Sequence, residues 1–170
     1  MNQKMNKYTL FLSTVLIALF MMGCQNNNIK TFEFDINLYD SNNSNLNNKD
    51  ILKESYIINF WFPSCAPCAK ELPHFQKIYE LYKDELDIVG IQMIGIDNAN
   101  EGQSFAEKFK LTYKLGYNDD NKTIRKYNIN SFPTTFFVNK NKNEIVAWDG
   151  YIPYEELLKH TKEMLNMEIK

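Results

Sequence analysis

Asn59-Phe60-Trp61-Phe62-Pro63-Ser64-Cys65-Ala66-Pro67-Cys68-Ala69-Lys70-Glu71-Leu72-Pro73 is the stretch from which the fold can be read. Tyr56 to Phe62 is an almost unbroken apolar run, the pattern of a central strand covered on both faces. Pro63-Ser64 ends it. Leu72, Phe75, Ile78, Tyr79 and Tyr82 then keep helical spacing, which predicts a helix from about Ala66 to Asp84. Pro73 lies inside that helix and should kink it. The C-x-x-C of Cys65 and Cys68 therefore falls where strand becomes helix. A thiol placed there meets unpaired backbone N–H groups and the positive end of the helix dipole. Both favour the thiolate, the nucleophile of disulfide exchange. Cys65, at the cap, is expected to be the exposed attacker, and Cys68, one turn in, the shielded resolving thiol.

Two plainer uses of the pair are weaker. A structural disulfide spanning two residues would constrain little unfolded-chain entropy. A zinc site usually takes four ligands, and His74 and His160 are the only histidines left to help. The pair is thus expected to be a redox-active disulfide, with no metal and no other cofactor.

Outward from this centre, Thr31 to Leu38 alternates enough to be a strand, and Ser41 to Asn48 is polar and low in complexity, expected as loop. Ile88 to Ile96 is a second strand, followed by a helix over Glu101 to Lys110 with Phe105 and Phe109 facing inward. A short strand near Tyr113–Tyr117 precedes a helix opened by Asp119 and Asp120, both good caps. Thr134 to Asn139 and Glu144 to Asp149 read as a hairpin across a polar turn. Pro153 starts a last helix with Tyr154, Leu157, Leu158, Thr161, Met164 and Leu165 on one face. Crossover units followed by a terminal hairpin give an α/β protein, a mixed sheet with helices on both faces.

At the N-terminus, Lys4 and Lys7 precede an uncharged run from Tyr8 to Met22 that ends in Gly23-Cys24. The basic start and apolar middle fit a secretory signal, and the run is short for a membrane span of ~20 residues. Residues 21–24 resemble a bacterial lipoprotein box, which implies cleavage before Cys24 and lipid on its thiol. Residues 1–23 are then expected as signal peptide, 24–50 as tether and N-terminal extension, and 51–170 as the globular domain. The 170 residues carry a net charge of −2 with 44% hydrophobic content. That is ordinary for a globular chain and lacks the basic footprint of a nucleic-acid binder.

The quoted stretch resembles the active-site segment of the TlpA/ResA-like branch of the thioredoxin superfamily. Ser131-Phe132-Pro133-Thr134-Thr135-Phe136-Phe137-Val138 resembles that branch's cis-proline strand. The match covers about Tyr56 to Leu165 and implies a thioredoxin fold, with an N-terminal strand extension and an extra strand–helix insert. It also implies a cis bond before Pro133, a substrate surface at Trp61, Phe132 and Pro133, and proton transfer near Cys68 by Glu71. Glu71 lies one helical turn beyond Cys68, and Asn59 occupies the slot where many thioredoxins hold a buried aspartate. Ser64 stands where the branch usually has tryptophan.

The resemblance implies an extracytoplasmic thiol–disulfide oxidoreductase, reducing protein disulfides, for instance during cytochrome c maturation, with electrons from a membrane donor. Ala66-Pro67 offers no cation to stabilise the thiolate, which leans the same way. Two rivals remain. One is a thiol peroxidase of related fold, whose signature puts threonine three residues before the reactive cysteine, where this chain has Phe62. The other is a copper-binding chaperone using both thiols and a histidine.

Overall fold

Strand β3 (Ser55–Trp61) organises the molecule. The computed structural model describes residues 32–39, 44–51, 53–118, 120–141 and 144–167, and all seven residues of β3 are buried. It pairs in parallel with β4 (Leu86–Gln92) and antiparallel with β6 (Thr134–Asn139). The remaining strands are β1 (Asp35–Leu38), β2 (Asn45–Asn47), β5 (Lys114–Tyr117) and β7 (Glu144–Asp149), and the sheet order is β2-β1-β5-β4-β3-β6-β7.

Side chains alternate across a strand, so Ile57, Asn59 and Trp61 face one side of the sheet and Tyr56, Ile58 and Phe60 the other. The first face is covered by α1 (Ala66–Tyr82), α2 (Ala99–Lys108) and α4 (Tyr154–Met164) through Leu72, Phe75, Ile78, Ala106, Leu157 and Met164. The second is covered by α3 (Lys122–Lys126) through Ile124 and by Phe32, Phe34, Ile36 and Leu46 of the N-terminal segment. With both faces dry, an unbroken apolar strand is the stable choice, each large side chain contributing about 1.5–3 kcal/mol on full burial.

The mixed sheet and the hairpin of β6 and β7 agree with the sequence reading. Several details differ. The stretch expected as loop at Ser41–Asn48 contains β2, whose Leu46 pairs opposite Ile36 and is buried; one apolar residue among asparagines gives no visible period. Residues 41–43 lie outside the described ones. Strand β4 starts two residues earlier than expected and stops at Gln92, leaving 93–98 as a loop. Helix α2 starts at Ala99 because Asn98 caps it: Asn98 accepts from the Glu101 N–H at 3.1 Å, and Glu101 accepts from the Asn98 N–H at 2.7 Å. This reciprocal capping box satisfies two otherwise orphaned donors. Its buried positions are Gly102 and Ala106, with Phe105 half-buried and stacked on Phe109 at 4.5 Å. The cap of α3 is Asn121, in the left-handed region at φ 53°, rather than an aspartate. Asp120 still serves the helix by accepting from the Lys122 N–H at 2.9 Å, and Asp119 lies outside the described residues. Helix α1 continues through Pro73 to Tyr82.

Candidate active site

Helix α1 begins at the end of β3 because Pro63 and Ser64 stop the strand and Pro67, early in the first turn, suits a position whose N–H would be unpaired in any case. Cys65 is the N-cap, and its Sγ accepts from the Cys68 N–H at 3.2 Å. The two cysteines are joined as a disulfide with Cα atoms 5.2 Å apart. Cys65 retains 7% exposure and Cys68 none, so only Cys65 is open to a partner. In the reduced state the same Cys68 N–H and the first turn of α1 face the Cys65 sulfur and favour its ionised form.

Glu71 extends the buried stripe of α1 that includes Cys68, Leu72, Phe75 and Ile78, and it is fully buried. Its Oε1 accepts from Asn59 Nδ2 at 2.8 Å and its Oε2 from the Ile152 N–H at 2.9 Å. Burial raises its pKa to about 7, and the bonds from Ile152 and Asn59 offset part of that rise. Positions three apart on a helix are neighbours, with Cβ atoms about 5–6 Å apart, so Glu71 and Cys68 share the buried face of α1. Asn59 Nδ2 also donates to Thr135 Oγ1 at 3.1 Å, and the Asn59 carbonyl oxygen is buried with no partner. Turning the amide over would present that oxygen to the hydroxyls of a protonated Glu71 and of Thr135. Asn59 can thus serve either protonation state of the acid. Tyr113, buried, has its hydroxyl pKa pushed up by burial and further by the charge of Glu71.

The Phe132–Pro133 peptide bond is cis. Thr134 pairs with Phe60 at the end of β3, which brings the start of β6 beside the strand leading to Cys65. The rings of Phe132 and Phe62 meet edge to face at 5.3 Å. Among the described residues Phe132 makes no backbone–backbone hydrogen bond. Trp61 requires correction: it is fully buried against Phe105, ring centroids 5.5 Å apart. Its side chain lies under the site and does not line a substrate surface. His74 packs between Tyr151 and Tyr154, and His160 against Phe137 and Trp148. Among the described residues no cluster of His, Cys, Asp and Glu is suited to a metal. Cys24 lies outside the described residues.

Three participants were missed from sequence. Ile152, from the loop before α4, supplies a backbone donor that no side-chain pattern announces. Thr135 lies two residues after Pro133 and could have been paired with Asn59 only by knowing the register of β6. Asp97 is the third: its Oδ2 accepts from both the backbone N–H of Ser64 at 2.9 Å and the Ser64 hydroxyl at 2.8 Å.

Against known proteins, the AhpC/TSA family model matches residues 27–147. The chain is similar to the thiol-disulfide oxidoreductase ResA of Geobacillus kaustophilus, 27% identical over 119 residues, which are 68% of this chain and 66% of that one. The match thus spans just under two thirds of that relative's length. Among solved structures, StoA from Bacillus subtilis superposes with a TM-score of 0.63 at 25% identity, covering 76% of this chain and 96% of its own. The exposed lipoprotein thioredoxin of Streptococcus pneumoniae gives a TM-score of 0.65 at 17% identity over 77% and 98%. The fold is the thioredoxin fold.

Proposed function

This chain belongs to the AhpC/TSA family, and from that premise we propose that it is a thiol–disulfide oxidoreductase acting through the Cys65/Cys68 dithiol. One observation carries the reading: an accessible cysteine caps a helix, disulfide-bonded to a buried one that has an acid of pKa about 7 a turn away. In the reducing direction the Cys65 thiolate attacks a substrate disulfide. A bond forms between Cys65 Sγ and one substrate sulfur, and the other leaves as a thiolate. Glu71 takes the proton of Cys68, whose thiolate attacks Cys65 Sγ and releases the second substrate sulfur. Two electrons pass to the substrate, and the Cys65–Cys68 disulfide is formed. Phe132 and Pro133 offer the backbone edge along which a substrate strand would lie.

The setting is proposed on the same footing. The N-terminal signal pattern and Gly23-Cys24 support export and a lipid anchor on Cys24, and no helix among the described residues is long and apolar enough to cross a membrane. Likeness to the ResA and StoA proteins supports protein disulfides as substrates. Re-reduction by a membrane donor and a place in cytochrome c maturation complete the proposal. The test is a full-length Cys68→Ala protein, which should accumulate mixed disulfides through Cys65 in the membrane fraction. Adding Cys24→Ala should move those adducts to the soluble fraction. Adducts that form on Cys65→Ala and not on Cys68→Ala would reverse the roles, and adducts that stay membrane-bound without Cys24 would remove the lipid anchor.

A further inference from the structure

The residue before the nucleophile is held by a carboxylate. Ser64 is exposed, and both its N–H and its hydroxyl converge on Asp97 Oδ2. Asp97 sits on a loop fixed from three sides. The Met93 N–H donates to the Trp61 carbonyl at 2.9 Å, Ile94 exchanges hydrogen bonds with the Asn121 side chain, and Gln92 Nε2 donates to the Asn98 carbonyl at 3.0 Å. Gln92 is itself bonded to Tyr39 and packed against Gly102, where any Cβ would collide with both side chains. The loop therefore cannot swing its acid away cheaply. Asp97 Oδ1 has no hydrogen-bond partner among the described residues. Lys70, the first cation of α1, lies instead over the Tyr151 ring, 4.4 Å from its centroid.

Chain geometry limits the separation: an oxygen bonded to the Ser64 N–H lies within about 10 Å of Cys65 Sγ. That is about one Debye length at ordinary ionic strength, so a group on a substrate docked at Cys65 feels the charge. We propose that Asp97, clamped by Ser64, is a specificity-determining residue of disulfide exchange, favouring substrates with a cationic side chain beside the reacting cysteine and disfavouring acidic ones. This rests on the oxidoreductase reading above. It also gives a role to Ser64: a small residue whose two donors fix an acid at the rim.

The test uses the reduced protein and two small disulfides of opposite charge, cystamine and 3,3′-dithiodipropionate, each of which takes two electrons from the dithiol and leaves as two thiols. Asp97→Asn keeps an oxygen to accept both Ser64 bonds and removes the charge. The ratio of cystamine to dithiodipropionate rates should fall about two- to fivefold in Asp97→Asn, the range of an exposed ion pair. In 1 M salt, where the screening length is about 3 Å, wild type and variant should converge. A ratio unchanged by the substitution, or both rates falling equally, overturns the proposal while leaving the oxidoreductase reading intact. Failure of the wild-type dithiol to reduce either probe removes both.

Discussion

At the scale of the residue, the role proposed for Glu71 is to set when the reaction can finish. A carboxyl with a pKa of about 7 accepts a thiol proton near neutrality far better than one in the usual carboxylate range. Resolution by Cys68 should rise with pH through about 7 and level off above it. In Glu71→Gln the mixed disulfide should persist at pH 7, with resolution slowed by about 100-fold and the defect shrinking once hydroxide can deprotonate Cys68. A Gln variant resolving at the wild-type rate would dismiss the role. The same shift has a stability consequence. The folded pKa lies above the ordinary 4.5, so ionisation costs the folded state nothing below pH 4.5, an increasing amount up to pH 7, and a constant amount beyond. The full cost is at most about 3 kcal/mol. Urea unfolding of oxidised Glu71→Gln should therefore vary less between pH 5 and 7 than wild type. Glu71 was singled out in sequence because it lies three residues past Cys68 and matches the active-site glutamate of the family that the stretch resembles. Its partners were not, because Asn59, Thr135 and Ile152 meet it only through strand register and a loop 81 residues away.

At the scale of the element, α1 and β3 could be read directly, since each carries its own period and their junction carries the cysteines. Elements whose apolar residues are sparse could not. The segment before β3 reads as tether and extension with an alternating strand over Thr31 to Leu38, and the alternation does not say what its apolar side covers. Yet Phe32 is fully buried, stacks on Tyr127 with centroids 3.7 Å apart, and donates its N–H to the Tyr56 hydroxyl at 3.1 Å. Without it, the second face of β3, with Tyr56, Ile58 and Phe60, would be wetted. Phe32→Ala should cost about 3–5 kcal/mol, read as a lower urea midpoint at unchanged slope, with the redox behaviour of Cys65 and Cys68 preserved. A loss below about 1 kcal/mol would mean that the segment only drapes over the sheet. The loop holding Asp97 was equally hidden: Ile88–Ile96 looks like one long strand, and only pairing against β3 ends it at Gln92.

At the scale of the whole molecule, the sheet brings the end of β3, the start of α1 and the start of β6 together, so Cys65 keeps 7% exposure while Cys68 and Glu71 are fully buried. Among the described residues no cation pairs with the Cys65 sulfur, and Asp97 is bonded to the neighbouring Ser64. The Asp97 carboxylate offsets part of the stabilisation that the first turn of α1 gives the thiolate, and a less stable reduced form is a stronger reductant. The most direct measurement is equilibration of the purified protein with a dithiothreitol series, following the Cys65 and Cys68 thiols. The expected result is a single reversible two-electron transition near the thioredoxin value of about −270 mV. A disulfide that opens only in denaturant, or a midpoint near the −120 mV or so of strong oxidants, would contradict it.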